Sequence, residues 1–363
     1  MIIKKISVLN YKNIHQAEVN CSVKINCFFG NNGMGKTNLL DAIYYLSFCK
    51  SHVNTPDSRL ICYGEDMCVV QGVYDYDGKE EEIFCAIRNG QRKQFRRNKK
   101  EYERLSEHIG LLPLVMISPS DTDLIHGGSD ERRRFIDMII SQHDKHYLNS
   151  LIQYNKAMMQ RNVLLRERRN EASLFDILEM QMGSYSVGIN EKRALFVDKL
   201  IPIFNEYYGM ICDSSETVCL RYVSSLAAGD IVKDLKESRA KDMMLGYTST
   251  GIHKDDIEMT LDEQLIRRVG SQGQNKTYLI ALKLAQYAYI AANGVTKPIL
   301  LLDDIFDKLD ANRVEKIINL VGGDRFGQIF ITDTNRKYLD RILETMEQDY
   351  SLFEVDKGGI VES

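Results

Sequence analysis

Residues 28–40, FFGNNGMGKTNLL, constrain this chain more than any other stretch. A short apolar run, Ile25 to Phe29, enters it, and Leu39, Leu40, Ile43 and Leu46 leave it at helical spacing, so the local reading is strand, glycine loop, helix. Between them Gly30, Asn31, Asn32, Gly33, Met34, Gly35, Lys36 and Thr37 fit the phosphate-binding pattern GxxxxGK[ST] at every required position. The glycines permit a tight turn in which successive backbone N–H groups point at a polyphosphate, and the following helix presents its positive end. In that pattern Lys36 reaches the terminal phosphates and the Thr37 hydroxyl ligates Mg²⁺. The competing reading, a glycine-rich turn that binds nothing, leaves the apolar flanks and the Lys36-Thr37 pair without a reason.

A second half of the site is expected late in the chain. Ile299-Leu300-Leu301-Leu302 ends in Asp303 and Asp304. A strand buried on both faces needs such a run, and its C-terminal end is where ligands bind in an open α/β sheet. Asp303 is placed to hold Mg²⁺ through its water shell, while Asp304 can orient and polarise the attacking water. The motif is weak alone and gains specificity from the Lys36-Thr37 loop far upstream. Asp310 follows in FDKLD as a plausible N-cap of the next helix.

Just before a long helix, Ser271 and Gly273 put a hydroxyl and backbone N–H groups at a helix N-terminus, a second anion site in the same chain. One nucleotide cannot easily use both phosphate sites of its own chain. The expectation is that Ser271 of one subunit closes over the nucleotide held by Lys36 of another, against the plainer reading of an ordinary Ser cap.

Elsewhere the chain divides by pattern. Residues 2–9 read as a strand, Asn10 to Asn13 as a turn, and a second strand runs toward Val23–Phe29. Strand-like pieces around Met67–Val73 and Ile83–Ile87, joined by the turn Asp75 to Gly78, suggest a side sheet. Residues 88–104 carry eight Lys or Arg against two Glu, with Phe95 and Tyr102 among them. Arg92, Lys93, Arg96, Arg97, Lys99 and Lys100 are the candidates for DNA phosphates, the aromatics for base stacking; a solvated hairpin face would look the same. From Ser129 to about Tyr208 the pattern is helical. Tyr147, Leu151, Tyr154, Met158 and Leu165 form one stripe, and Leu178, Met182, Tyr185, Ile189, Phe196 and Ile203 another, which predicts two antiparallel helices with Pro202 ending or kinking the second. Strand and helix signals resume beyond Thr217. The expected division is therefore 1–118 and 216–363 as two halves of a nucleotide domain, interrupted by a helical arm at 119–215.

Bulk properties limit the partners. The net charge of −4 means that nucleic-acid affinity must come from local basic surface. Eight cysteines without a CxxC spacing suit reduced thiols packed in a core better than a metal site. The N-terminal residues alternate like a strand and lack a signal peptide's apolar segment, and no apolar run approaches the ~20 residues needed to span a bilayer. A cytoplasmic chain with no membrane partner is expected.

GNNGMGKTN, SQGQNK followed by ALKLAQ, LLLDDIFDKLD and the late strand ending Ile331-Thr332-Asp333-Thr334, in that order, resemble the ABC-type ATPase heads of the SMC and Rad-fifty group. The short arm, the second Asp where most such heads carry Glu, NYKN near the N-terminus, ISPSDTDLIHGGSDERRRFIDMIISQ at 117–142, YNKAMMQRNVLL at 154–165 and TGIHKDDI at 250–257 are similar to the RecF family within it. The likeness covers almost the whole chain.

This resemblance implies an α/β ABC-type P-loop ATPase head, lobe I, with an inserted antiparallel helical arm, lobe II. It implies binding of ATP and Mg²⁺, head-to-head homodimerisation on nucleotide, slow DNA-stimulated hydrolysis, and DNA binding at the gap junctions of recombinational repair and replication. RecO and RecR are the implied protein partners, in loading RecA. Lys12 is an implied nucleotide contact where the family more often has Arg, which keeps the charge and loses a bidentate contact. Ile252 replaces a usual Pro before His253. The Gln that related heads use near Mg²⁺ is expected within 117–121, and Asp333 lies near the switch His of many heads. Two other classes share these motifs. A transporter energy module would need a membrane partner and a shorter helical insert. An architectural SMC-like protein would bridge distant DNA, for which at most ~60 Å of helix and no hinge domain are poorly suited.

Overall fold

The computed structural model describes residues 1–363 apart from 54, 170, 213–215, 225, 227–229, 308 and 345–348. Two compact units emerge, one of Met1–Asp121, Gly209–Asp213 and Leu279–Ser363, the other of Thr122–Tyr208 and Ser214–Tyr278.

The first unit holds two six-stranded sheets. One has the order Gly359–Glu362, Tyr350–Asp356, Ile25–Phe29, Ile329–Asp333, Ile299–Asp303, Leu114–Ile117, parallel except for the antiparallel Gly359–Glu362 edge. Every residue of Ile299–Asp303 and Ile329–Asp333 is buried, as strands covered on both faces require. The register sets Phe29 beside Asp333, Asp303 beside Thr332 and Leu302 beside Ile117, so the C-terminal ends of these strands are level. The other sheet is antiparallel, in the order Ile14–Asn20, Ile2–Tyr11, Met67–Tyr76, Lys79–Arg88, Gln94–Arg97, Lys100–Glu101. Its turn at Asp75 to Gly78 lies where the sequence predicts, with Asp77 and Gly78 both left-handed. Helix Lys36–Phe48 touches strands of both sheets and is buried almost all round. Gln328 stitches the sheets together, its amide bonding both Ile3 N and Ile3 O and donating to Ser22 O, so a buried polar side chain is fully used.

The second unit contains helices Ser129–His143, Lys145–Arg166 and Ile231–Leu245, most of Ala172–Ile211, and an antiparallel sheet of Val218–Val223, Asp256–Leu261 and Gln264–Leu265. Helices Lys145–Arg166 and Ala172–Ile211 run antiparallel, because Arg161 pairs with Glu179 near their short connection and Asp144 pairs with Lys192 further from it.

Four expectations need correction. Residues 14–29 form two strands in different sheets, since Asn26 bonds both Ser22 N and Ser22 O and turns the chain between them. The helical region is three helices, because Asp144 ends one and caps the next through Tyr147 N. Pro202 does not end Ala172–Ile211, which is the half of the expectation that fails: buried Leu200, Phe204, Tyr207 and Ile211 lie along the helix on either side of the missing N–H. Residues 216–278, predicted as part of the nucleotide domain, build their own three-stranded sheet and belong to the compact unit of the arm. Among the described residues no helix is long and apolar enough to cross a membrane.

Candidate functional site

Strand Ile25–Phe29 delivers the chain into the loop at Gly30, whose φ of 152° and whose closeness to Val355 O leave no room for a side chain: a Cβ would lie 2.3 Å from that oxygen. Lys36 opens the following helix, and its Nζ donates to Gly30 O at 2.6 Å and Asn31 O at 2.9 Å. Burial pulls the Lys36 pKa down, opposed by Asp304, Asp303 and Asp333 nearby. Thr37 is exposed, and its Oγ1 donates to Asp303 Oδ1 at 3.0 Å. The two halves predicted from opposite ends of the sequence therefore meet.

Asp303 is buried, which raises its pKa, and its Oδ1 also accepts from Thr332 Oγ1 at 2.6 Å. Asp304 adopts φ 50°, and its N–H donates to Thr332 O at 3.1 Å. Thr332 thus orients both acidic residues, a role invisible in a buried strand's sequence. The donor set fits a metal-bound polyphosphate: a cationic head in the loop, a hydroxyl and a carboxylate oxygen 3.0 Å apart, and open space at Gly33.

The other predicted site residues divide. Lys12 Nζ pairs with Oδ2 of buried Asp41 at 2.7 Å, and Asp41 also accepts from Tyr11, Ser51 and His52 N, so Lys12 anchors the loop helix. The 117–121 stretch contains no Gln. Its polar groups are Ser118, Ser120 and Asp121, the last bonded to Lys283 Nζ at 2.7 Å. Asp310 caps its helix through Arg313 N, as predicted. In the second unit, Ser271 and Gln274 form a reciprocal capping box: Ser271 Oγ accepts from Gln274 N, and Gln274 Oε1 from Ser271 N. Ser271 is nevertheless exposed, with Gly273 half-buried in the first helical turn.

The basic hairpin is less uniform than its composition. Lys93 Nζ is held by Tyr45 OH, Cys49 O and Asp57, and Arg97 by Glu81. Strand alternation turns Phe95 into the core at 1% exposure, and Tyr102 OH bonds His108, so the predicted stacking aromatics face inward. Arg92, Lys99 and Lys100 are exposed, and half-buried Arg96 lies over the Phe84 ring.

Asp333, at the end of its strand, is 3% exposed, and its pKa is raised to about 6, first by burial and further by Asp304, against the opposing Asn335 N–H and Lys36. Folded Asp333 holds a proton between about pH 4 and 6 that the unfolded chain has released. Stability therefore falls as pH rises through that window, and the penalty is complete above it. Asp333→Asn is expected to raise the thermal midpoint of the nucleotide-free chain at pH 7.5, by about 2–4 °C per kcal/mol relieved, and to lose this advantage near pH 4. Parallel pH profiles for the two proteins would contradict this.

The description RecF/RecN/SMC N terminal domain matches residues 2–360. A Parabacteroides distasonis protein, "DNA replication and repair protein RecF", is 68% identical over 99% of this chain and 99% of its own length. A Bacteroides fragilis protein of the same name is 56% identical over 100% and 98%. A solved structure of the recombination mediator protein RecF with ATP in the RecFOR pathway superposes with a TM-score of 0.89 at 28% identity, covering 100% of this chain and 97% of that one. The Smc head domain from Pyrococcus furiosus, at TM-score 0.60 and 17% identity, shares the fold, that of an ABC-type ATPase head. With the sheet order, the glycine loop and the paired aspartates in place, this chain belongs to the RecF family.

Proposed function

We propose that this chain is an ATP-operated DNA-binding protein of replication and recombinational repair, working as a nucleotide-dependent homodimer at gap junctions. The observation that carries the reading is the meeting of Thr37 and Asp303 beside Lys36. The named relatives and the RecF structure with ATP support it. Thr37 Oγ1 and Asp303 would hold Mg²⁺, with Thr332 fixing Asp303. Bound there, the ion supplies charge neutralisation at the phosphates. The loop N–H groups of residues 30–37 and the Lys36 ammonium bind the polyphosphate, and Asp304 positions the water that attacks.

Ser271 and Gly273, on an exposed helix start, act in trans on the nucleotide of a second copy. Dimer closure brings the exposed Arg92, Lys99 and Lys100 and the half-buried Arg96 of both copies to the DNA backbone, and slow hydrolysis resets the switch. Lys93 and Arg97 support the hairpin instead. RecO and RecR are the protein partners in this reading, with RecA loading as the outcome and the cytoplasmic nucleoid as the place.

The test is light scattering with and without ATP, paired with ATPase assays on duplex, single-stranded and gapped DNA. ATP should drive dimer formation, and gapped or duplex DNA should raise turnover. Ser271→Arg should leave nucleotide binding by the monomer little changed and abolish the ATP-induced dimer. A normal dimer from that variant would remove the trans role.

A further inference from the structure

The C-terminal hairpin lies against the glycine loop. Strand Tyr350–Asp356 runs parallel to Ile25–Phe29, with Glu354 beside Phe29, and carries the chain into a turn at Lys357 and Gly358. There Gly358 N–H donates to Met34 O at 2.9 Å, and Lys357 N lies 3.3 Å from Met34 Sδ. Beside it, Asn13 Nδ2 donates to Gly33 O at 2.9 Å, while Asn13 Oδ1 accepts from Asn38 Nδ2 at 2.7 Å. The two braces touch: a Cβ on Gly358 would lie 2.3 Å from Asn13 O.

We infer that Asn13 and Gly358, as two adjacent braces on consecutive carbonyls, form a clamp that aims the phosphate-binding N–H groups of Met34 and Gly35, making both positioning residues for nucleotide binding. The warrant is peptide geometry. In a planar trans peptide, the C=O of one residue and the N–H of the next point in opposite directions. Tying Gly33 O to Asn13 therefore directs the Met34 N–H away from Asn13, and tying Met34 O to Gly358 directs the Gly35 N–H away from the hairpin. These amides lie in the stretch that cradles the phosphates. A loop with three glycines has many conformations, and the clamp selects one before any ligand arrives. The last strand pair of the chain, distant in sequence from every motif, thereby becomes part of the site.

This inference rests on the nucleotide-binding reading above, and a matched pair of variants tests it separately. Gly358 and Gly78 have nearly the same φ, +80° and +79°, yet a Cβ at Gly78 has nothing within 4 Å. Gly78→Ala therefore carries the left-handed strain alone, and Gly358→Ala carries the same strain plus the clash with Asn13. Dissociation constants for ATP and ADP are to be measured on the full chain, below the unfolding temperature of each variant. Gly358→Ala is expected to weaken both nucleotides by the same factor, at least about tenfold, since the cradle serves the phosphates they share. Gly78→Ala should bind like the parent chain. Asn13→Ala should repeat the Gly358→Ala loss and decides the matter if Gly358→Ala does not fold. The double variant should lose less than the two single losses combined. Parent-like binding by both clamp variants, or an equal loss in Gly78→Ala, overturns the clamp while leaving nucleotide binding intact. A parent chain that binds neither nucleotide overturns the functional reading and the clamp with it.

Discussion

Lys36→Arg is expected to leave the chain folded and to lower ATP turnover about 100-fold or more, the usual consequence of removing one preorganised charge donor. The Lys36 ammonium fits between Gly30 O and Asn31 O, at 2.6 and 2.9 Å, inside a loop whose first glycine already touches Val355 O. A guanidinium is planar, wider and forked, so it cannot occupy that point-like position without moving the loop. Charge is retained, which keeps the three neighbouring carboxylates Asp303, Asp304 and Asp333 opposed and limits the effect on stability. The expected signature is a thermal midpoint close to that of the parent chain with phosphate release near background. Unchanged turnover would mean that Lys36 does not face the reacting phosphates. A collapsed midpoint would mean that its bonds to the loop carbonyls hold the unit together.

The halves of this site could be read from sequence because each is local. A glycine spacing and an apolar run ending in carboxylates survive without knowledge of the fold, and pairing them required only that strands of a parallel sheet end on one side. What escaped depends on long-range register. Thr332 is an unremarkable residue in a buried strand until Asp303 lies across from it. Asn13 reads as a turn residue until the C-terminal hairpin arrives beside it. The basic hairpin was only partly legible because composition does not say which way a side chain points: alternation sends Phe95 inward, and Lys93 reaches across to Tyr45 and Asp57. The division of the chain was misjudged at 216–278 for the same reason, since strand signals do not reveal which sheet they join. Arginines in the helical arm were the least legible, because an isolated Arg in an amphipathic helix is ordinarily a surface residue.

Arg161 is the case in point, and Arg161→Met is expected to destabilise the second unit by about 3–5 kcal/mol. Its side chain is fully buried and joins three helices and a loop. Nε donates to Glu179 at 3.1 Å, Nη1 to Asp242 at 2.7 Å and to Thr248 Oγ1 at 2.9 Å, and Nη2 to Leu235 O at 3.0 Å. Methionine fills most of the volume, so the loss is one of charge and bonding more than of packing. Glu179 would keep Arg239, and Asp242 would keep Ser238 and Ser249, but both carboxylates remain at 0% exposure with too little positive charge. Removing one of the stranded charges as well should recover part of the loss, so Arg161→Met combined with Asp242→Asn is expected to be more stable than Arg161→Met alone. Arg239→Ala, at a side chain 24% exposed and open to water, should cost less than Arg161→Met. Urea denaturation followed by far-UV circular dichroism ranks the three. If Arg161→Met unfolds at the urea concentration of the parent chain, the guanidinium is not what joins Lys145–Arg166, Ala172–Ile211 and Ile231–Leu245, and apolar packing between these helices must carry the unit instead.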